Sequence, residues 1–67
     1  MDIFARRLKE LREEMGISQY SLAVKTGMSK RTISRWEQGD AMPNIEYIKV
    51  LCEFFGCTAD YLIGLEE

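Results

Sequence analysis

Four basic residues lie in one stretch of the sequence that holds no acidic residue. Between Gly16 and Trp36 the bases are Lys25, Lys30, Arg31 and Arg35. The whole chain has 9 Lys and Arg against 11 Asp and Glu, so positive charge is concentrated here in a chain of net charge -2. Both residue types neutralise phosphates, and arginine can also donate two hydrogen bonds to O6 and N7 of guanine. The stretch favours contact with a nucleic acid, although a helix face solvated by water gives the same charge pattern.

Residue types that serve catalysis or metal binding are scarce in this sequence. The chain has no histidine, the commonest general base, and two cysteines, Cys52 and Cys57. Two thiols alone rarely hold a metal, and both are predicted to be buried free thiols near a helix end. No glycine-rich phosphate loop and no nucleophile motif occurs. The sequence therefore predicts no enzyme, no metal site and no cofactor.

Two short predicted helices, residues 19–26 and residues 30–37, position the basic side chains. Apolar residues share one face of each helix: Leu22 and Ala23 on the first, Ile33 and Trp36 on the second. Gly27 separates the helices where the turn needs a positive φ, and Ala23 is small enough to let them cross closely. Two short helices with a glycine turn are typical of a helix-turn-helix motif, here within residues 19–37.

Three further helices are predicted around this motif, at residues 2–15, at residues 45–55 and, short, after Thr58. The first is capped by Asp2, and its buried face carries Phe4, Leu8, Leu11 and Met15. The core face of the fourth carries Ile45, Ile48, Leu51, Cys52 and Phe55. A length of 67 residues allows one small core. The prediction is an all-α fold, a compact bundle of about five short helices forming a single domain, residues 1–67.

The hydropathy of the chain bears on its location. No apolar run approaches the length needed to cross a membrane, and the N-terminus lacks the apolar stretch of a signal peptide. A cytoplasmic location is therefore expected.

Residues 3–63 resemble the lambda-repressor/Cro-type helix-turn-helix family, also called XRE-type. The matching stretches are Arg7 to Arg12, Ile17 to Gln19 with Leu22 and Ala23, Gly27 to Ser29, Thr32 to Gly39, Pro43, and Phe55 to Thr58. The family usually has an apolar residue where this chain has Thr26. We expect the Thr26 hydroxyl to bond to the preceding helical turn.

The resemblance implies that the helix at residues 30–37 enters the DNA major groove. It assigns base reading to Lys30, Arg31 and Arg35. Contacts to the DNA backbone are expected from Ser18, Gln19, Ser29, Thr32, Ser34, Gln38 and Asn44. The family also implies that Gln19 contacts the recognition helix and that Arg12 pairs with Glu37 to orient that helix. Structural support is expected from Ala23, Gly27 and Trp36.

The implied function is sequence-specific binding of double-stranded DNA by a bacterial or phage transcriptional regulator of the repressor type. The same fold also occurs in antitoxin-like and other protein-interaction modules, and that alternative stays open at this point.

The last predicted helix is short, and the chain around it has more apolar residues than one buried face of that helix can use. They are Phe54, Tyr61, Ile63 and Leu65. Because one recognition helix reads few base pairs, this surface is predicted to form a homodimer. The alternative is that the same residues close the core of the monomer.

Overall fold

The computed structural model describes residues 2–66; the terminal residues of the predicted domain, Met1 and Glu67, lie outside that range. It has five helices: α1 (Ile3–Glu14), α2 (Gln19–Thr26), α3 (Lys30–Glu37), α4 (Ile45–Phe55) and α5 (Ala59–Ile63). The bounds of α2, α3 and α4 are those predicted, and α1 differs by one residue at each end. Within residues 2–66, no helix has the length and apolar character needed to span a membrane.

Local polar groups define where the helices begin. Each N-cap side chain accepts a hydrogen bond from a backbone N–H in the first turn, at 3.0–3.1 Å. The N-caps are Asp2, Ser18, Ser29, Asn44 and Thr58. At the other end of α2, Gly27 has a φ of 74°, a left-handed conformation that glycine adopts without steric cost. These interactions are local in sequence, which is why the helix bounds could be predicted.

The core lies where all five helices meet. The largest fully buried side chains include at least one from each helix: Phe4, Leu8, Leu22, Ile33, Leu51 and Leu62. Trp36 of α3 is 3% exposed and packs edge-on against Phe4, with ring centroids 6.1 Å apart. The ring of Tyr47 on α4 also lies close to Trp36, with ring centroids 5.5 Å apart. Trp36 thereby connects α3 to both α1 and α4.

Two residues predicted to be buried are exposed. Met15 is 49% exposed because it is the C-cap of α1, beyond the last helical residue. Ile45 is 76% exposed because it is the first residue of α4, so the apolar stripe of that helix begins past the edge of the core. The remaining residues of both stripes are buried or pack partly against the core.

The cysteines are free thiols, and they are half-buried where full burial was predicted. They lie around the C-terminus of α4, where the backbone N–H of Cys57 bonds to the carbonyl of Cys52 at 3.1 Å. Burial raises the pKa of Cys52 to about 11, and the neighbouring Cys57 side chain adds to the rise. The Cys52 thiol is therefore protonated at neutral pH and acts as a small apolar group.

The C-terminal apolar surface is only partly exposed. Phe54 is half-buried and meets Phe55 edge-on at 5.1 Å. Tyr61 is half-buried under the guanidinium of Arg7, which lies 4.3 Å from the ring centroid and also donates to the Tyr61 carbonyl. Ile63 and Leu65 remain 40% and 73% exposed. Phe54 and Tyr61 thus contribute to monomer packing, and Ile63 and Leu65 form the open part of the surface.

Candidate nucleic-acid interface

The turn between α2 and α3 is closed by local hydrogen bonds and close packing. The N–H of Met28 donates to the carbonyl of Ala23 at 2.8 Å, and Ala23 itself is 2% exposed. Thr26 donates its hydroxyl to the carbonyl of Leu22 at 2.7 Å, as expected from its departure from the family pattern. The polar Thr26 fits at this position because its hydroxyl hydrogen-bonds within α2.

Helix α3 has separate inner and outer faces. Ile33 and Trp36 point into the core, at 0% and 3% exposure. Arg31 and Arg35 are exposed, and since an α-helix turns by about 100° per residue, they lie about 40° apart on the side opposite the buried pair. Lys30 is also exposed, about 100° from Arg31 on the flank of this outer face. The helix therefore presents a basic surface away from the domain.

The two arginines of the outer face make no ion pair and no side-chain hydrogen bond within residues 2–66, where the only ion pair is Arg12–Glu37. Their guanidinium groups are therefore available to a ligand. Each group has five N–H donors and no acceptor, so the matching ligand carries acceptor atoms.

The hydroxyl and amide groups on α3 are bonded to one another. The Ser29 and Thr32 hydroxyl oxygens lie 2.8 Å apart, and Gln38 donates its amide to the Ser34 hydroxyl oxygen at 3.0 Å. The Ser34 hydroxyl hydrogen and the second amide hydrogen of Gln38 stay free to donate to a phosphate oxygen. These hydrogen bonds hold the side chains in place, and the remaining donors can contact the phosphates of a DNA backbone.

A partly buried ion pair fixes α3 to α1. Arg12 contacts both carboxylate oxygens of Glu37, with its Nε at 2.7 Å and its Nη2 at 3.0 Å. The two side chains are 11% and 4% exposed, and a hydrogen bond from Arg12 to the carbonyl of Ile17 at 2.9 Å completes the site. The hydrogen bond to Glu37 raises the pKa of Arg12 above its usual value, against the opposing effect of burial.

Gln19 joins this pair from the first residue of α2. Its Nε2 donates to Oε1 of Glu37 at 3.0 Å, so one carboxylate links three helices. A contact between Gln19 and the recognition helix was expected from the family resemblance, but its partner was not identified. Sequence alone gives no signal for that partner, because eighteen positions separate the two residues.

The remaining predicted backbone contacts, Ser18 and Asn44, are exposed N-caps of α2 and α4. Each uses its side-chain oxygen to accept a backbone N–H of its own helix, from Ser21 and Tyr47 respectively. The helix N-termini beside them carry further N–H groups suited to a phosphate.

The fold and this surface define a class of protein: a helix-turn-helix domain with a basic outer face on its second helix. The family model described as "Helix-turn-helix" matches residues 8–62. The chain belongs to this family, of the XRE or Cro/repressor type, and the relatives that it matches include named regulators of transcription. The predictions of family, all-α five-helix fold and DNA-binding regulator class are confirmed at this level.

Individual relatives agree with this class. The transcriptional activator BcrR of Enterococcus faecalis is 38% identical over 96% of this chain, which spans 31% of that protein's length. The uncharacterised regulator YgzD of Bacillus subtilis is 31% identical, with 91% of this chain and 92% of the relative covered. Among solved structures, the P22 c2 repressor in complex with a synthetic operator has a TM-score of 0.90 at 29% identity, covering 98% of this chain and 100% of that one.

Proposed function

We propose that the protein binds specific double-stranded DNA sites and regulates transcription, in the manner of a bacterial or phage repressor. The observation that carries this proposal is the outer face of α3, where Arg31 and Arg35 are exposed and have no ion-pair partner within residues 2–66. In helix-turn-helix proteins the second helix lies in the major groove, with residues of its N-terminal part on the base edges. Acting on DNA of the cell's own genome, the protein would work in the cytoplasm.

The proposed contacts divide by chemistry. Arg31, Arg35 and Lys30 read bases, since their exposed donors project away from the domain. Residues around the ends of α2, α3 and α4 hold the DNA backbone: Ser18, Gln19, Ser29, Thr32, Ser34, Gln38 and Asn44. Such contacts fix the register of a protein on DNA and carry no sequence information directly. The ion pair of Arg12 and Glu37 orients α3 between the two sets of contacts.

The test of base reading replaces each arginine by alanine. Arg31→Ala and Arg35→Ala are each expected to weaken binding to a selected site by about 1–3 kcal/mol more than binding to random DNA. Fluorescence anisotropy on both DNAs at one fixed salt concentration measures the difference.

Lys49→Ala is the matched control, because Lys49 is an exposed base on α4 outside the proposed contacts. It removes one positive charge without removing a base contact, so the ratio of specific to random binding stays unchanged. If both arginine variants also keep that ratio, the assignment of the reading face is wrong.

A homodimer is also part of the proposal, since a single recognition helix reads too few base pairs for specificity in a genome. Twofold symmetry places two such helices about 34 Å apart on one face of the DNA. The open part of the C-terminal apolar surface, Ile63 and Leu65, supplies apolar area for the twofold contact.

Ile63→Glu is expected to weaken self-association at least about tenfold, because it places a charge where apolar area is buried. Sedimentation equilibrium over a range of concentrations measures this. Val24→Glu, at an exposed apolar residue of α2, is the control and is expected to associate like the parent. A parent protein that stays monomeric, and binds paired half-sites without cooperativity, would refute the proposed homodimer.

A further inference from the structure

We infer that each DNA half-site carries two guanines within three consecutive base pairs, one read by Arg31 and the other by Arg35. The inference rests on the proposed function and adds the base content and spacing of the site. It starts from the chemistry of the outer face of α3, which places Arg31 and Arg35 side by side and Lys30 on the flank. All three side chains donate hydrogen bonds and accept none.

A surface of donors alone selects among the four bases. In the major groove, guanine presents two acceptors, N7 and O6, whereas adenine presents one acceptor and one donor. Thymine offers one acceptor beside a methyl group, and cytosine offers a donor. Guanine is therefore the one base on which both donors of an arginine fork are satisfied.

The other polar side chains at α3 hydrogen-bond within the protein. Selection of cytosine needs an acceptor such as a carboxylate, and the one acid on α3, Glu37, is 4% exposed and bonded to Arg12 and Gln19. Selection of adenine needs an amide, and the Gln38 amide, at the C-cap of α3, uses one N–H on Ser34 and is assigned to the DNA backbone. Among the exposed donors of α3, only the two arginines carry a two-pronged fork, so they set the preference for guanine.

The helix geometry sets the distance between the two guanines. Arg35 lies four positions after Arg31, a rise of about 6 Å at about 1.5 Å per residue. Base pairs along DNA are about 3.4 Å apart, so this rise is less than two base-pair steps. With α3 lying along the groove, the two guanidinium groups reach guanines that are adjacent or separated by one base pair.

The experiment selects bound sequences from a random double-stranded DNA library with the parent chain and with Arg31→Gln and Arg35→Gln. Parent sites are expected to share two guanines within three positions, and exchanging either guanine for adenine is expected to weaken binding about 5- to 150-fold. Glutamine pairs with adenine at N6 and N7, so each variant is expected to change one guanine to adenine, at a different position for each. Lys49→Gln, the matched control, is expected to select the parent sites.

Four outcomes would overturn the inference, and each is distinguishable from the others. Parent sites without the guanine pair would refute it and leave the proposed function intact. A guanine pair that neither glutamine variant changes would also refute the inference and leave the proposed function intact. So would two base changes that lie more than two base pairs apart. Retention of bulk DNA with no sequence enriched would refute sequence-specific regulation itself, and the inference with it.

Discussion

Replacing Trp36 by alanine is expected to lower the free energy of unfolding by about 3–5 kcal/mol. The side chain is 3% exposed and packs against Phe4 of α1 and Tyr47 of α4, so its loss leaves a cavity where three helices meet. Small domains have only about 5 to 15 kcal/mol of stability in total. We therefore expect the variant to be largely unfolded, or close to it, in urea titrations followed by circular dichroism.

Two further variants test whether the loss of stability comes from the packing of Trp36 or follows the removal of any aromatic side chain. Trp36→Phe keeps a ring in the site and is expected to cost less than Trp36→Ala. Tyr20→Ala removes an aromatic side chain that is 65% exposed, and its effect is expected to stay within about 0.5 kcal/mol. A Trp36→Ala variant as stable as Tyr20→Ala would contradict the role of Trp36 in holding α3.

Removing either member of the Arg12–Glu37 pair is expected to cost about 3 kcal/mol, because the remaining charge stays poorly solvated. The Glu37 side chain is 4% exposed, and in Arg12→Ala its carboxylate would keep only the hydrogen bond from Gln19. Urea unfolding of the two single variants and the double variant gives the coupling energy of the pair. It is expected to exceed the 0.2–1 kcal/mol or so typical of exposed ion pairs.

Glu14→Ala provides the baseline for this cycle, since Glu14 is an exposed acid on the same helix as Arg12. Its expected effect is within about 0.5 kcal/mol. If the effects of Arg12→Ala and Glu37→Ala simply add, the pair does not act as a unit in positioning α3.

Much of the fold could be predicted because its signals are local. Ser18, Ser29 and Asn44 accept hydrogen bonds from backbone groups three residues away, so a helix start is encoded within one turn of sequence. Gly27 takes the left-handed conformation expected of a helix-terminating glycine. The inward direction of Ile33 and Trp36 follows from helical spacing alone.

Features that depend on where helices end in space could not be predicted. Met15 and Ile45 continue the apolar spacing of α1 and α4, but each lies past the edge of the core. Tyr61 is covered by Arg7, a residue 54 positions away. The hydrogen bond from Gln19 to Glu37 likewise depends on the packing of α2 against α3. Helical periodicity identifies the face that a residue occupies, and the neighbouring helices determine whether that face is covered.

The separation of inner and outer faces on α3 has a consequence for how such proteins diverge. The inner residues Ile33 and Trp36 are set by packing, whereas Arg31 and Arg35 make no side-chain hydrogen bond or ion pair within residues 2–66. Exchanges at exposed positions of this kind usually change stability by less than about 0.5 kcal/mol. After gene duplication, one copy can therefore acquire a new target through single substitutions while every intermediate along the lineage still folds.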